Sequence, residues 1–170
     1  MVLTREDKPW KTDLARKSAL RRQHVLNETE EVIKKAASFE EALRVSAETM
    51  KRRFARFAAI TVYVADGEEL AVHVGLHRPE GPERVGASGG PLGDAAQGTK
   101  PTVVADLTGN EAWNGVGLSR GSVAIAPVRT EAGLWAIIEI WSDFRDAFTP
   151  QDVKFLERVT TLLARKTPAA

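Results

Sequence analysis

The 170-residue sequence contains no cysteine, which removes thiol nucleophiles, disulfides, iron–sulfur ligation and thiolate zinc sites in one step. Long hydrophobic runs are missing as well. No uninterrupted apolar stretch reaches membrane-spanning length, and Met1 to Lys8 carries charges where a signal peptide would carry its apolar segment. These absences predict a soluble cytoplasmic protein without a membrane partner. There is no low-complexity tract and no internal repeat, so no array or linker needs to be placed. Charge of one sign is also scarce. The net charge is +1, with 14 Lys and Arg against 9 Asp and Glu in residues 1–56 and 10 against 14 in residues 57–170. That imbalance is too weak to argue for a nucleic-acid partner.

What remains is an ordinary globular composition, 43% hydrophobic and 28% charged. A chain of this size buries roughly 68–70% of its unfolded surface, enough for one continuous core. The stretch from Ser122 to Ser142 sets two Val- and Ile-rich runs on either side of Arg129-Thr130-Glu131-Ala132-Gly133, which predicts a buried antiparallel hairpin. Before it, Ala58 to Ala65 and Glu69 to Gly75 flank the turn pair Asp66-Gly67 and predict a first hairpin. Short strands are expected near Arg84 to Ala87 and Thr102 to Ala105, and a short helix from Pro91 to Gln97. Polar, Gly-rich loops fill the rest of the interval between the hairpins.

Helices are predicted at both ends. Thr12 to Lys35 repeats apolar residues at helical spacing, Ser38 and Glu41 have capping-box spacing for a helix toward Phe54, and Thr149-Pro150-Gln151-Asp152 opens a helix running through Arg165. Lys51-Arg52-Arg53 falls in the last turn of the second helix, where cations complement the dipole. The reading is therefore α+β: an antiparallel sheet with helices on one face and loops on the other. Its segments are a lead-in over 1–11, an N-terminal amphipathic helix over 12–37, the domain over 38–166 and a tail over 167–170.

Five phrases carry a resemblance: Gly93 to Pro101, Val103 to Asp106, Ser122 to Val128, Ile137 to Ser142, and Ala147 to Val153. In this order and spacing they resemble a GAF domain, a relative of the PAS fold. Ala136 stands where that family usually has glycine. The resemblance implies a PAS-like sheet, terminal helices packed behind it, and a pocket on the opposite face roofed by the loops before the second hairpin. It further implies a regulatory or sensory module that binds an unidentified small molecule and signals through its terminal helices. A homodimer paired through those helices and a signalling protein partner belong to the same expectation; the cofactor is unknown. One branch of the family, the free methionine-(R)-sulfoxide reductases, is similar in length, but its chemistry needs a cysteine thiolate, so the expectation is a protein that is not an enzyme. The alternative reading is a ligand-free dimerisation or partner-docking module.

Period-two alternation in the last strand places Trp135, Ile137, Glu139 and Trp141 on one face and Leu134, Ala136, Ile138 and Ile140 on the other. Two indoles and a carboxylate suit an amphipathic cavity. With them we group Trp113, Asp106, Arg120 and Ser122 from the loops, and Tyr63 and His73 from the first hairpin, as candidate ligand-binding residues. Alternatives stand beside these roles. Glu139 can pair with Arg129 or face water, the Trp residues can be core, Asp106 can cap a turn, and Arg120 can be solvated. His73 and His77 on a strand leading into a loop lack a third donor, so no metal site is expected.

Overall fold

A computed structural model describes residues 9–168, with side-chain surroundings from Asp13 onward. The first eight residues of the expected lead-in, and residues 169–170 of the tail, lie outside the described residues. Helix α1 runs Pro9–Lys35, beginning three residues before the expected start. Proline fits a first helical turn because its missing N–H has no intrahelical partner there. Helix α2 follows over Phe39–Arg53, and the Ser38 hydroxyl accepts from the Glu41 amide at 3.1 Å as its N-cap. The Glu41 carboxylate reaches one residue further than a capping box requires and accepts from the Ala37 amide at 2.7 Å.

Strands β1 (Ala59–Asp66) and β2 (Glu69–Leu76) form the first hairpin, followed by the short β3 (Arg84–Gly86), helix α3 (Gly90–Gln97) and the short β4 (Thr102–Val104). The loop beyond β4, where the sequence predicts a polar, Gly-rich connection, contains a 3-10 helix over Glu111–Val116. Strands β5 (Ser122–Thr130) and β6 (Gly133–Ser142) form the second hairpin, and helix α4 (Pro150–Ala164) closes the domain. Thr149 and Asp152 cap α4 reciprocally, as their spacing predicts. Among the described residues no helix is long and apolar enough to cross a membrane.

All six strands join one antiparallel sheet in the order β3-β2-β1-β6-β5-β4. The central pair is β1 with β6, the two strands that α2 leads into and α4 leads away from. Two cores result, one on each face. Behind the sheet, Leu43, Met50, Phe57, Ile60, Ile138, Ile140, Leu156 and Leu163 join α1, α2 and α4 to it. In front, Tyr63, Leu70, Leu92, Leu107, Trp113, Leu118, Ile125 and Ile137 pack the loops and α3 against it. Helices on one face and loops on the other is the expected layout.

Two bulges alter the expected alternation. Val128 faces Ala136 while Arg129 faces Leu134, so Trp135 is an extra residue in β6. The extra residue turns Trp135 to the helix side, where it packs on the rear core, and Leu134 joins the front. That reverses the sequence expectation for both residues. In the first hairpin Val62 faces Val74 while Tyr63 faces Val72, which makes His73 the extra residue of β2. Val74 accordingly packs in the rear core whereas Leu70 and Val72 pack in front.

Candidate functional site

Among the described residues, the front of the central strands is where the fold buries a carboxylate oxygen without a hydrogen-bond partner. Beyond the Trp135 bulge β6 regains strict alternation, so Ile137, Glu139 and Trp141 face forward while Ala136, Ile138 and Ile140 face the helices. Thr61 of β1 and Ile125 of β5 are the register partners of Glu139 on either side. Glu139 is only 4% exposed, and its Oε2 makes no hydrogen bond. Burial raises its pKa to about 8, against a smaller opposing pull from the positive charge of Arg78. Tyr63, on β1, has its phenol pushed up by burial and then by the charge of Glu139, so it stays protonated.

Arg78 was missed in the sequence reading. It follows β2 in a loop whose stem lies flat over the strand, because residue 75 is glycine: a Cβ there would meet Arg78 Cδ at 2.7 Å. A glycine inside a strand marks such a close approach, and Gly75 was the available signal. Arg78 Nη2 donates to the carbonyls of Gly81 at 2.7 Å and Pro82 at 3.3 Å. Its Nη1 is buried and makes no hydrogen bond, the exposed Glu83 carboxylate being 3.8 Å away. An unmatched buried donor or acceptor costs about 1–3 kcal/mol, and more for a charged group. The roof is interlocked above this pair, since a Cβ on Gly117, at φ 80°, would meet the Glu80 carbonyl oxygen at 2.5 Å.

The remaining candidates lie around this pair or apart from it. Trp113 is buried in the front core and forms part of the wall of a groove of about 380 Å³ between α3, β4 and the 3-10 helix. Ile125, the β5 neighbour of Glu139, lines the same groove. Trp141 donates its indole N–H to the Arg120 carbonyl at 2.8 Å, and the Arg120 guanidinium lies 5.8 Å from the centre of its ring. Arg120 also pairs with Asp143 at 2.8 Å, on the exposed rim. Ser122 is buried and braces the segment before α4: its hydroxyl donates to the Phe144 carbonyl at 2.6 Å and accepts from the Ala147 amide at 3.2 Å. Asp106 is exposed and caps its own turn, accepting from the Thr108 amide at 2.9 Å and pairing with Arg145 at 3.5 Å.

His73 is not brought to this face. The bulge directs its Nε2 to the Glu40 carbonyl oxygen of α2, 3.1 Å away on the helix side. Arg129 does not meet Glu139 either; it donates to the carbonyls of Ala96 and Gly98 at the end of α3. Tyr63, Glu139 and Arg78 thus form the polar centre, with Trp113 and Trp141 in the apolar surround.

The sequence profile of the GAF domain matches residues 36–165, the whole region from α2 through α4. The chain belongs to the GAF family. Among solved structures, this GAF chain is similar to free methionine-R-sulfoxide reductase from Neisseria meningitidis in complex with its substrate, with 23% identity over 88% of this chain and 89% of that one and a TM-score of 0.76. It is also similar to type II free methionine-R-sulfoxide reductase from Thermoplasma acidophilum, with 18% identity over 75% and 90% and a TM-score of 0.67. The GAF domain of a phosphoenolpyruvate-protein phosphotransferase from Coxiella burnetii gives 16% identity over 87% and 93%, with a TM-score of 0.74. No curated protein matches the sequence. At these identities the likeness shows the GAF fold, shared by enzymes and regulatory domains alike.

Proposed function

We propose that this GAF domain is a regulatory module that binds a small molecule against Glu139 and transmits occupancy through its terminal helices. The observation that carries the reading is the Glu139 carboxyl, buried on the loop-covered face with Oε2 unpaired. A buried polar atom without a partner is rare in a native fold and fits a position that a ligand fills. Transmission has a short route. Tyr63 and Glu139 sit on β1 and β6, and these strands connect directly to α2 and α4. A ligand that tightens the loops over the centre shifts those two strands against the helices and biases how two copies pair.

The structural likeness to a methionine sulfoxide reductase solved in complex with its substrate supports a small-molecule ligand for this fold. We read this chain as binding without turnover, because it has no cysteine to act on a sulfoxide. A ligand-free docking module is the second reading, favoured by Leu14 and Leu20, which are 57% and 54% exposed on α1.

Thermal-shift and calorimetric screening of the purified protein against a metabolite set tests the proposal. A compound that stabilises the wild type but not Glu139→Ala supports it. Silence across the set, with dimers that persist regardless, would favour the docking reading.

A further inference from the structure

Two buried side-chain atoms among the described residues lack a hydrogen-bond partner, Glu139 Oε2 and Arg78 Nη1, and they share one row of the sheet: Gly75, against which the Arg78 stem lies, faces Thr61, and Thr61 faces Glu139. Their coincidence in one site says more about a ligand than either does alone. Arg78 is held in place: its stem lies on Gly75, its Nη2 is engaged by two loop carbonyls, and the loop itself is locked against Gly117. The N–H directions of Nη1 are therefore fixed before any ligand arrives, which favours recognition of an acceptor. We propose that the site takes the carboxylate of a small organic acid, with Arg78 Nη1 and the Glu139 carboxyl group both donating to it. This inference rests on the reading that a ligand sits against Glu139.

Charge balance selects an anion. The titratable and charged groups acting on the centre are Tyr63 from β1 and Arg78 and Glu83 from the loop after β2, while β5 contributes the apolar Ile125. Burial holds Glu139 protonated up to about pH 8 and keeps the Tyr63 phenol neutral. Near neutrality the buried part of the centre therefore carries the positive charge of Arg78, offset only through solvent by the Glu83 carboxylate, which is 3.8 Å away and 80% exposed, and it presents donors. A monocarboxylate cancels that charge and supplies acceptor lone pairs, with no proton released or taken up. A zwitterion would first need Glu139 to give up its proton to accept an ammonium group. The two ligand classes thus depend on pH with opposite sign. Carboxylate binding is level below pH 8 and weakens about tenfold per unit above it; zwitterion binding strengthens as pH rises toward 8.

The experiment is calorimetric titration of the intact chain with pyruvate, propionate, inorganic phosphate and alanine at pH 6, 7 and 9. Pyruvate or propionate should bind at pH 6 and 7 with equal affinity and weaken roughly tenfold by pH 9. Arg78→Gln should weaken that binding about ten- to hundred-fold, and Glu139→Gln, which keeps a donor, should remove the loss at pH 9. Arg78→Lys and circular dichroism separate lost recognition from lost folding, and the wild-type pH profile decides without any variant. Alanine binding that tightens from pH 6 to 7 while the carboxylates are silent overturns the proposed class and leaves the small-molecule reading standing, as does binding of phosphate alone. No binding by these probes or by any member of the metabolite set overturns both.

Discussion

The ring of Trp135 meets the ring of Phe39 edge to face, with centroids 5.9 Å apart and planes inclined by 73°. One residue belongs to the β6 bulge and the other opens α2, so the contact ties the irregular start of the last strand to the rear helices. Trp135 also donates its indole N–H to the Thr130 hydroxyl at 2.9 Å across the hairpin. Trp135→Ala removes both, and the ring is half-buried, so an expected loss of about 2 kcal/mol follows. Urea unfolding measures it, and a loss confined to a few tenths would show that the bulge holds without the ring.

Gly121 precedes β5 at φ 79°, and a Cβ there would lie 1.9 Å from the Ser142 carbonyl oxygen. Neither the backbone angle nor the space accepts a side chain. Gly121→Ala should destabilise by at least about 2 kcal/mol, visible as a clear drop in melting temperature. An unchanged Tm would mean that the start of β5 can move away from β6 freely.

Asp152 is buried and joins three segments: it caps α4 with Thr149 and pairs with Arg56 and, at 3.2 Å, with Arg22 of α1. Burial alone would raise its pKa, but the Thr149 hydrogen bonds and the Arg56 charge outweigh that and hold it below the ordinary value of 3.8. An acid depressed in the folded state supports folding above its unfolded pKa, and that support is lost as pH falls through the folded one. Asp152→Ala should lose about 2–3 kcal/mol at pH 7, the guanidiniums being partly solvated. The difference from wild type should shrink in unfolding curves taken below about pH 4.

For Glu139 the sign is reversed. Its folded pKa of about 8 lies above the ordinary 4.5, so the ligand-free protein should lose stability as pH rises from roughly that ordinary value to about 8. Glu139→Gln should flatten this slope and be the more stable protein at pH 8–9, by up to a few kcal/mol. Paired denaturation curves at pH 5 and 9 check it. Parallel behaviour of the two proteins at both pH values would place the carboxyl in contact with water.

Much of the fold was legible because its signals are local. Thr149-Pro150 with Asp152, the Asp66-Gly67 turn, and the Val- and Ile-rich runs around Glu131-Ala132 each specify an element without help from distant residues. The bulges at His73 and Trp135 were not legible, since an extra residue in a ladder depends on what the neighbouring strand presents. For the same reason His73 was expected in front and lies behind. The forward direction of Glu139 followed from alternation, because β6 is regular beyond the bulge. Short polar residues were harder to read: Asp106 caps its own turn and Ser122, at the start of β5, holds the segment before α4, roles that have the same sequence appearance as contact with a ligand. Among the loop arginines, Arg78 is set apart by a glycine three residues earlier that lies inside a strand, Gly75 of β2.

The outermost strands, Arg84–Gly86 and Thr102–Val104, are three residues each. Such stubs give a foreign strand almost no rail of free amide and carbonyl groups to extend. Copies of this chain at high concentration are thereby discouraged from fusing rim to rim into continuous ribbons.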